Sequence, residues 1–200
     1  MKKALITFFL VIVLDQALKI WVKTQMLYDE SIPIFGSWFN IHFIENPGMA
    51  FGLEFGGDWG KLALSLFRIV AISLIGVFLY KLIKKNANTG LIISISLILA
   101  GAVGNILDSA FYGLIFSESS YFEHATMFPA EGGYASFLHG KVVDMLYFPL
   151  FEGNFPSWMP FWGGEHFLFF RPIFNIADSS ISIGVFIILL NQKRFFKHLQ

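Results

Sequence analysis

Cysteine is absent from the 200-residue chain. That removes disulfides, thiolate metal sites and thiol nucleophiles together, and it leaves the compartment open, since a Cys-free chain occurs on either side of a membrane. Charge is scarce as well. Only 14% of residues are Asp, Glu, Lys or Arg, where a soluble domain carries about 25%. The 14 basic and 14 acidic residues cancel, so there is no global basic field and no nucleic-acid partner is expected. The five histidines (His42, His124, His139, His166 and His198) show no HExxH spacing, which disfavours a zinc protease. No internal repeat, low-complexity tract or flexible linker is visible. The length allows one domain, residues 1–200.

What is abundant is apolar: 56% of the chain is hydrophobic. Four runs are long enough to span about 30 Å of hydrocarbon at about 1.5 Å per residue. They are Ala4–Val22, Leu62–Leu82, Leu91–Leu114 and Ile173–Leu190. The first also resembles a cleavable signal peptide. No small-residue cleavage site follows it, however, and its far end carries Asp15, Lys19 and Trp21. The expected fold is therefore an all-α membrane protein of four transmembrane helices.

Basic residues set the orientation. Lys2 and Lys3, then Lys81, Lys84 and Lys85, then Lys193, Arg194 and Lys197 make eight of the 14 basic residues, and no acid lies among them. The positive-inside rule puts both termini and the short middle loop in the cytoplasm. The long connections, 23–61 and 115–172, then lie outside. Phe39, Ile41 and Phe43 alternate with Asn40 and His42, the period of a half-buried strand, and Lys141–Tyr147 also reads as a strand. Between Phe148 and Phe170 aromatics crowd in, among them Phe155, Trp158, Phe161 and Trp162. That density suggests a segment resting in the headgroup layer rather than a small soluble cap, because Pro and Gly interrupt any long element.

An ionisable group inside a span costs about 2.5–3.5 kcal/mol on insertion scales, so each needs a reason. Asp15 and Lys19 lie in the first span, Arg68 in the second, Asp108 in the third and Asp178 in the fourth. With the orientation above, Asp15, Asp108 and Asp178 share one depth near the outer surface, and Asp144 reaches it from the outer segment. Asp15 and Lys19 are spaced i, i+4, a self-satisfying ion pair at least as readily as a catalytic one. Asn105 and Asp108, spaced i, i+3, fit either interhelical glue or a direct part in a site. Arg68 is expected to snorkel or to pair with one of the acids. Asp144 and Asp178 have no basic neighbour in sequence. Two carboxyls close together in a low dielectric cannot both ionise easily. One then serves as base on water and the other donates to the carbonyl under attack, the aspartic-protease arrangement, which needs no metal or cofactor. A Ser–Lys dyad would need Lys19 as base, and Asp15 on the same face would hold it protonated.

Two other classes use intramembrane carboxylates. A proton-coupled transporter places them near the midplane, often in inverted repeats, and here they sit at the outer end without a repeat. A non-catalytic lipid- or lipopeptide-binding protein would use the polar pairs as glue, and stays open on these residues alone.

Five short motifs, in order, resemble the lipoprotein signal peptidases, the type II signal peptidases of bacteria. They are Asp15-Gln16-Ala17-Leu18-Lys19, Asn46-Pro47-Gly48-Met49-Ala50-Phe51-Gly52, Gly104-Asn105-Ile106-Leu107-Asp108, Val142-Val143-Asp144 and Phe174-Asn175-Ile176-Ala177-Asp178-Ser179. The resemblance implies that Asp144 and Asp178 are catalytic. It implies that Asp15, Lys19, Asn46, Gly48, Asn105, Asp108 and Asn175 shape the site. It further implies a multi-pass protein of the bacterial inner membrane. The substrate would be a diacylglyceryl prolipoprotein cut just before its lipidated Cys, with membrane lipid around it and globomycin as the family's inhibitor. Ser109 stands where many members have Arg, Met49 where Ala is usual, and the stretches 112–141 and 149–171 are longer than in compact members. The longer stretches suggest an aromatic flap or a docking surface.

Overall fold

A computed structural model describes residues 1–36, 38–47, 57–149, 151–169 and 172–197. Three helices are long and apolar enough to cross a membrane: Lys2–Gln25, Trp59–Lys84 and Thr89–Ile115. The first is α1 (Lys2–Gln25) and the second belongs to α2 (Gly57–Lys84). The third is composite. It runs as α3 (Thr89–Leu107), opens into a π-helical turn over Asp108–Tyr112, and closes in a single α turn, α4 (Gly113–Ile115). π-turns inside α-helices recur at functional sites, and this one begins on an acid. Large apolar side chains such as Phe9 and Val13 on α1, and Phe67, Val70 and Leu74 on α2, are exposed. In water that would be an aggregating surface. It is the placement expected when lipid covers the helix.

The fourth expected span differs in its start. Ile173–Phe174 form a short strand, and the helix, α5 (Ile176–Leu190), begins only after Asn175. The cause is a capping box: the Asn175 side chain accepts from the Asp178 amide while the Asp178 side chain accepts from the Asn175 amide. The helix is thus 15 residues long, shorter than the roughly 20 that usually span, and α6 (Gln192–Phe196) follows it. Its packing against α3 is close because of small residues. A Cβ on Gly101 would lie 2.2 Å from the Ala177 carbonyl oxygen, and one on Gly184 would lie 2.6 Å from the Ser94 carbonyl oxygen.

Above the helices lies a four-stranded antiparallel sheet, ordered β1 (Ser31–Phe35), β2 (Phe39–Asn46), β3 (Val142–Tyr147) and then the strand Ile173–Phe174, which is β6 in chain order. Alternation in β2 buries Ile41, Phe43 and Glu45. Ile41 and Phe43 pack with Val143 and Met145 of β3 on Val22 and Met26 at the end of α1 and on Tyr112 and Phe116. Register shifts between Ile41 and Ile44, opposite the stretch from Leu146 to Asp144. A bulge at that place re-aims the neighbouring side chains. The aromatic-rich stretch holds a second, two-stranded sheet, β4 (Phe151–Asn154) with β5 (His166–Phe169). Pro156, Pro160, Gly163 and Gly164 fall between the strands and Gly153 lies within β4, so the sequence pattern hid a hairpin.

Candidate active site

The polar residues of α1 fall on one face and meet the third span. Lys19 Nζ lies 3.0 Å from Asp15 Oδ2 and 2.8 Å from Asp108 Oδ2, with all three side chains fully buried. It also donates to Asn105 Oδ1 at 2.9 Å. Gln16 completes the cluster, donating to Asp108 Oδ1 at 2.9 Å and to Asp15 Oδ2 at 3.1 Å and accepting from the Tyr112 hydroxyl at 3.2 Å. Every buried carboxylate oxygen here has a donor, the condition for keeping charge in a low dielectric.

Each acid of the cluster also holds a distant backbone. Asp15 Oδ1 accepts from the Ala177 amide at 2.8 Å, one residue before Asp178. Asp108 Oδ2 accepts from the Val143 amide at 3.2 Å, one residue before Asp144. A carboxylate at the first turn of α5 also suits the helix dipole.

Two amides join Asp144 to Asp178. Asn175 Nδ2 donates to Asp144 Oδ1 at 2.7 Å and to Asn105 Oδ1 at 3.1 Å. Asn105 Nδ2 donates to Asp178 Oδ1 at 2.7 Å. Asn46 adds a side-chain hydrogen bond to Asp144. Asp144 is buried and Asp178 half-buried. Burial, and then the charge of Asp178, push the Asp144 carboxyl up to about 7, against the pull of Lys19 and the two Asn donors. A carboxyl that changes state near neutrality beside a second carboxyl can hold one shared proton, which is what general acid–base work on water requires. Among the described residues no group of three His, Asp or Glu side chains gathers as a metal ligand set.

The model of the signal peptidase (SPase) II family matches residues 7–194. The chain belongs to the signal peptidase II family. It is 56% identical over 182 residues to the lipoprotein signal peptidase of Porphyromonas gingivalis, covering 90% of this chain and 78% of the relative. It is 39% identical over 187 residues to that of Amoebophilus asiaticus, covering 92% and 75%. Two solved chains described as bacterial membrane enzymes share the fold. One has a TM-score of 0.62 at 25% identity, with 97% of this chain and 94% of that chain covered. The other has a TM-score of 0.63 at 24% identity, with 96% and 88% covered. Membership of the signal peptidase II family makes this chain a protease of the membrane.

Of the residues expected at a signal peptidase II site, Asp15, Lys19, Asn46, Asn105, Asp108, Asp144, Asn175 and Asp178 fall in one connected polar network. Gly48 and Met49 lie outside the described residues. Ser109, in place of the usual Arg, is buried and donates to the Asn105 carbonyl at 3.3 Å, so it sends no charge into the site. Sequence reasoning gave no role to Gln16, though a polar side chain beside Asp15 in an apolar run was the available signal. It also missed Lys23, fully buried and ion-paired with Glu45 of β2. Lys23 donates to Ser119 Oγ at 2.7 Å and lies 4.9 Å from the Tyr134 ring centre. These contacts fasten the long outer extension onto the sheet.

Proposed function

We propose that this chain is an aspartic endopeptidase that removes the signal peptide from diacylglyceryl-modified prolipoproteins just before the lipidated Cys, with Asp144 and Asp178 as its catalytic pair. Family and relatives support lipoprotein signal peptides as the substrate class. The observation that carries the chemistry is the convergence of both carboxyls on the Asn175 and Asn105 amides. The ionised member takes a proton from the attacking water. The protonated member donates to the peptide carbonyl, and the pair returns a proton to the leaving amine. Asp15 and Asp108 fix the two strands of backbone that carry the acids. Asn side chains beside the pair, Asn46 among them, hold an extended peptide by hydrogen bonds.

The reading carries a topology. The chain forms one inner-membrane domain over residues 1–200, with α5 as a fourth span, both termini cytoplasmic and the aspartates at the outer face. Acyl chains of the substrate then stay in lipid while its scissile bond meets the interface, and globomycin competes for the same place. The test is cleavage of a diacylglyceryl prolipopeptide by the purified protein. Asp144→Asn and Asp178→Asn should each abolish release of the signal peptide while the protein inserts and folds. The double variant should be scarcely worse, because the two act as one unit. Near-normal turnover in either folded single variant would remove the pair from the mechanism. Binding of lipopeptide without any cleavage by the unaltered protein would favour the non-catalytic reading.

A further inference from the structure

Glu45 stands where the alternation of β2 calls for an apolar side chain. It follows Ile41 and Phe43 on the buried face, at 8% exposure. Its Oε1 is ion-paired with Lys23 from the end of α1 and accepts from Ser119 Oγ at 2.9 Å, while its Oε2 lies 3.6 Å from Lys141 Nζ. Ser119 and Lys141 belong to the long extension 112–141, which the sequence suggested as part of a flap or docking surface. That extension is tied down on either side of the cluster. The Tyr134 hydroxyl accepts from the Lys141 amide at 2.7 Å, and the Tyr134 amide donates to the Phe116 carbonyl at 3.1 Å. The Gly140 amide donates to the Ser109 carbonyl at 2.8 Å, and a Cβ on Gly140 would lie 2.2 Å from the Asp108 carbonyl oxygen.

A buried ion pair seldom stabilises a fold more than apolar side chains of the same size, and its best-attested use is to fix a register. A register is at stake here. Pairing of β2 with β3 shifts between Ile41 and Ile44, so the rungs beyond the bulge are not aligned by those before it. Beyond it, Ile44 lies opposite Asp144, Glu45 opposite Val143 and Asn46 opposite Val142. The rung of Glu45 and Val143 is gripped on both strands, since Asp108 holds the Val143 amide at 3.2 Å. We propose that Glu45 is a positioning residue for cleavage: held by Lys23 of α1 and by Ser119 and Lys141 of the extension, it locks β2 in the register that brings Asn46 to Asp144. The extension from the third span to β3 is then a brace of the active site rather than a flap over it. This rests on Asp144 being catalytic. A slip of one residue would turn Asn46 to the other face of the sheet and take its hydrogen bond from Asp144. A cluster that served stability alone would act without regard to Asn46.

The experiment is a mutant cycle on kcat/KM for cleavage of a diacylglyceryl lipopeptide by the whole protein. Lys23→Met with Glu45→Leu removes both charges together, so neither is left buried without its partner. This double variant should stay folded and lose about tenfold in kcat/KM, the worth of one hydrogen bond to a carboxyl. Asn46→Ala alone should lose at least as much. The losses should not multiply: the triple variant should cleave no more slowly than Asn46→Ala, because Glu45 acts through Asn46. Undiminished cleavage by the folded double variant, or losses that multiply in the triple, would overturn the proposal. Should the double variant fail to fold, Ser119→Ala leaves the ion pair in place and removes one donor to Glu45. It should lower kcat/KM about two- to threefold in the original protein and not at all in Asn46→Ala, and an equal loss in both would overturn the proposal as well. Retained cleavage in Asp144→Asn would instead overturn the catalytic pair itself, so the two failures are distinguishable.

Discussion

Lys19→Met removes a cation from between two carboxylates that have no access to water. Lys19, Asp15 and Asp108 are all fully buried, with ion-pair distances of 3.0 and 2.8 Å. Taking one partner from a buried pair costs about 3–5 kcal/mol, because the remaining charge is left uncompensated. The loss has a ceiling, since a stranded carboxyl takes up a proton rather than stay charged. Protonating an ordinary carboxyl at pH 7 costs about 4 kcal/mol, and this falls by about 1.4 kcal/mol for each unit of acidification. The deficit of Lys19→Met should thus be about 3–5 kcal/mol at pH 7 and shrink markedly by pH 5. Thermal unfolding in lipid–detergent micelles should show it as a fall of roughly 6–20 °C at pH 7, at about 2–4 °C per kcal/mol. A triple variant, with Asp15→Asn and Asp108→Asn added, keeps acceptors for the Ala177 and Val143 amides and should regain most of the loss. A Lys19→Met protein as stable as the original, or one whose deficit is the same at pH 5 and pH 7, would refute this account of the cluster.

Gly101→Ala should separate α5 from α3, since the added Cβ would meet the Ala177 backbone at 2.2 Å; a loss of about 1–3 kcal/mol in unfolding is expected for such overpacking, and an unchanged protein would contradict the packing described. With Asp144 pushed up to about 7, cleavage should decline as pH rises past neutrality, because the proton-bearing member is then lost. In Asp178→Asn the second cause of that rise is gone, so carboxyl NMR should find Asp144 titrating at lower pH; an unmoved titration would place the two acids out of reach of each other. Cysteines introduced into this Cys-free chain at Lys85 and Glu131, both exposed, test orientation: an impermeant thiol reagent outside intact cells should label Glu131→Cys and spare Lys85→Cys, and the reverse pattern would invert the topology.

The grouping of the acids was legible in the sequence because membrane burial makes every ionisable residue costly, so few remain and each is informative. The partners within α1 were legible too, since i, i+4 spacing is a local rule. What spacing does not hold is which helices meet. Nothing local says that Lys19 reaches Asp108 as well as Asp15, or that Asp15 turns its other oxygen to Ala177. The Asn175–Asp178 spacing was visible as a polar pair on one face, and its second meaning as a capping box appears only once the helix start is known. An apolar run continued through Ile173 and Phe174, so hydrophobicity alone carried the expected span three residues too far. The β4–β5 hairpin escaped for the opposite reason: its strands are short, and the turn residues between them dominate the pattern.

The arrangement separates two tasks that carboxylates do badly together. Asp15 and Asp108 hold backbone amide groups, and Lys19 with Gln16 supplies donors to their remaining oxygens by contact. In the proposed mechanism Asp144 and Asp178 share a proton, which a bonded lysine would prevent. Asn105 and Asn175 stand between the two sets. Asn105 takes a hydrogen bond from Lys19 on its oxygen and gives one to Asp178 from its nitrogen. Asn175 takes one from the Asp178 amide and gives one to Asp144. A neutral amide passes orientation from one set to the other without passing charge. Replacing either Asn by Asp would put a third carboxyl against the pair, and replacing either by Leu would leave buried carboxylate oxygens unsatisfied. In this reading the two asparagines are as constrained as the aspartates, through geometry rather than through proton chemistry.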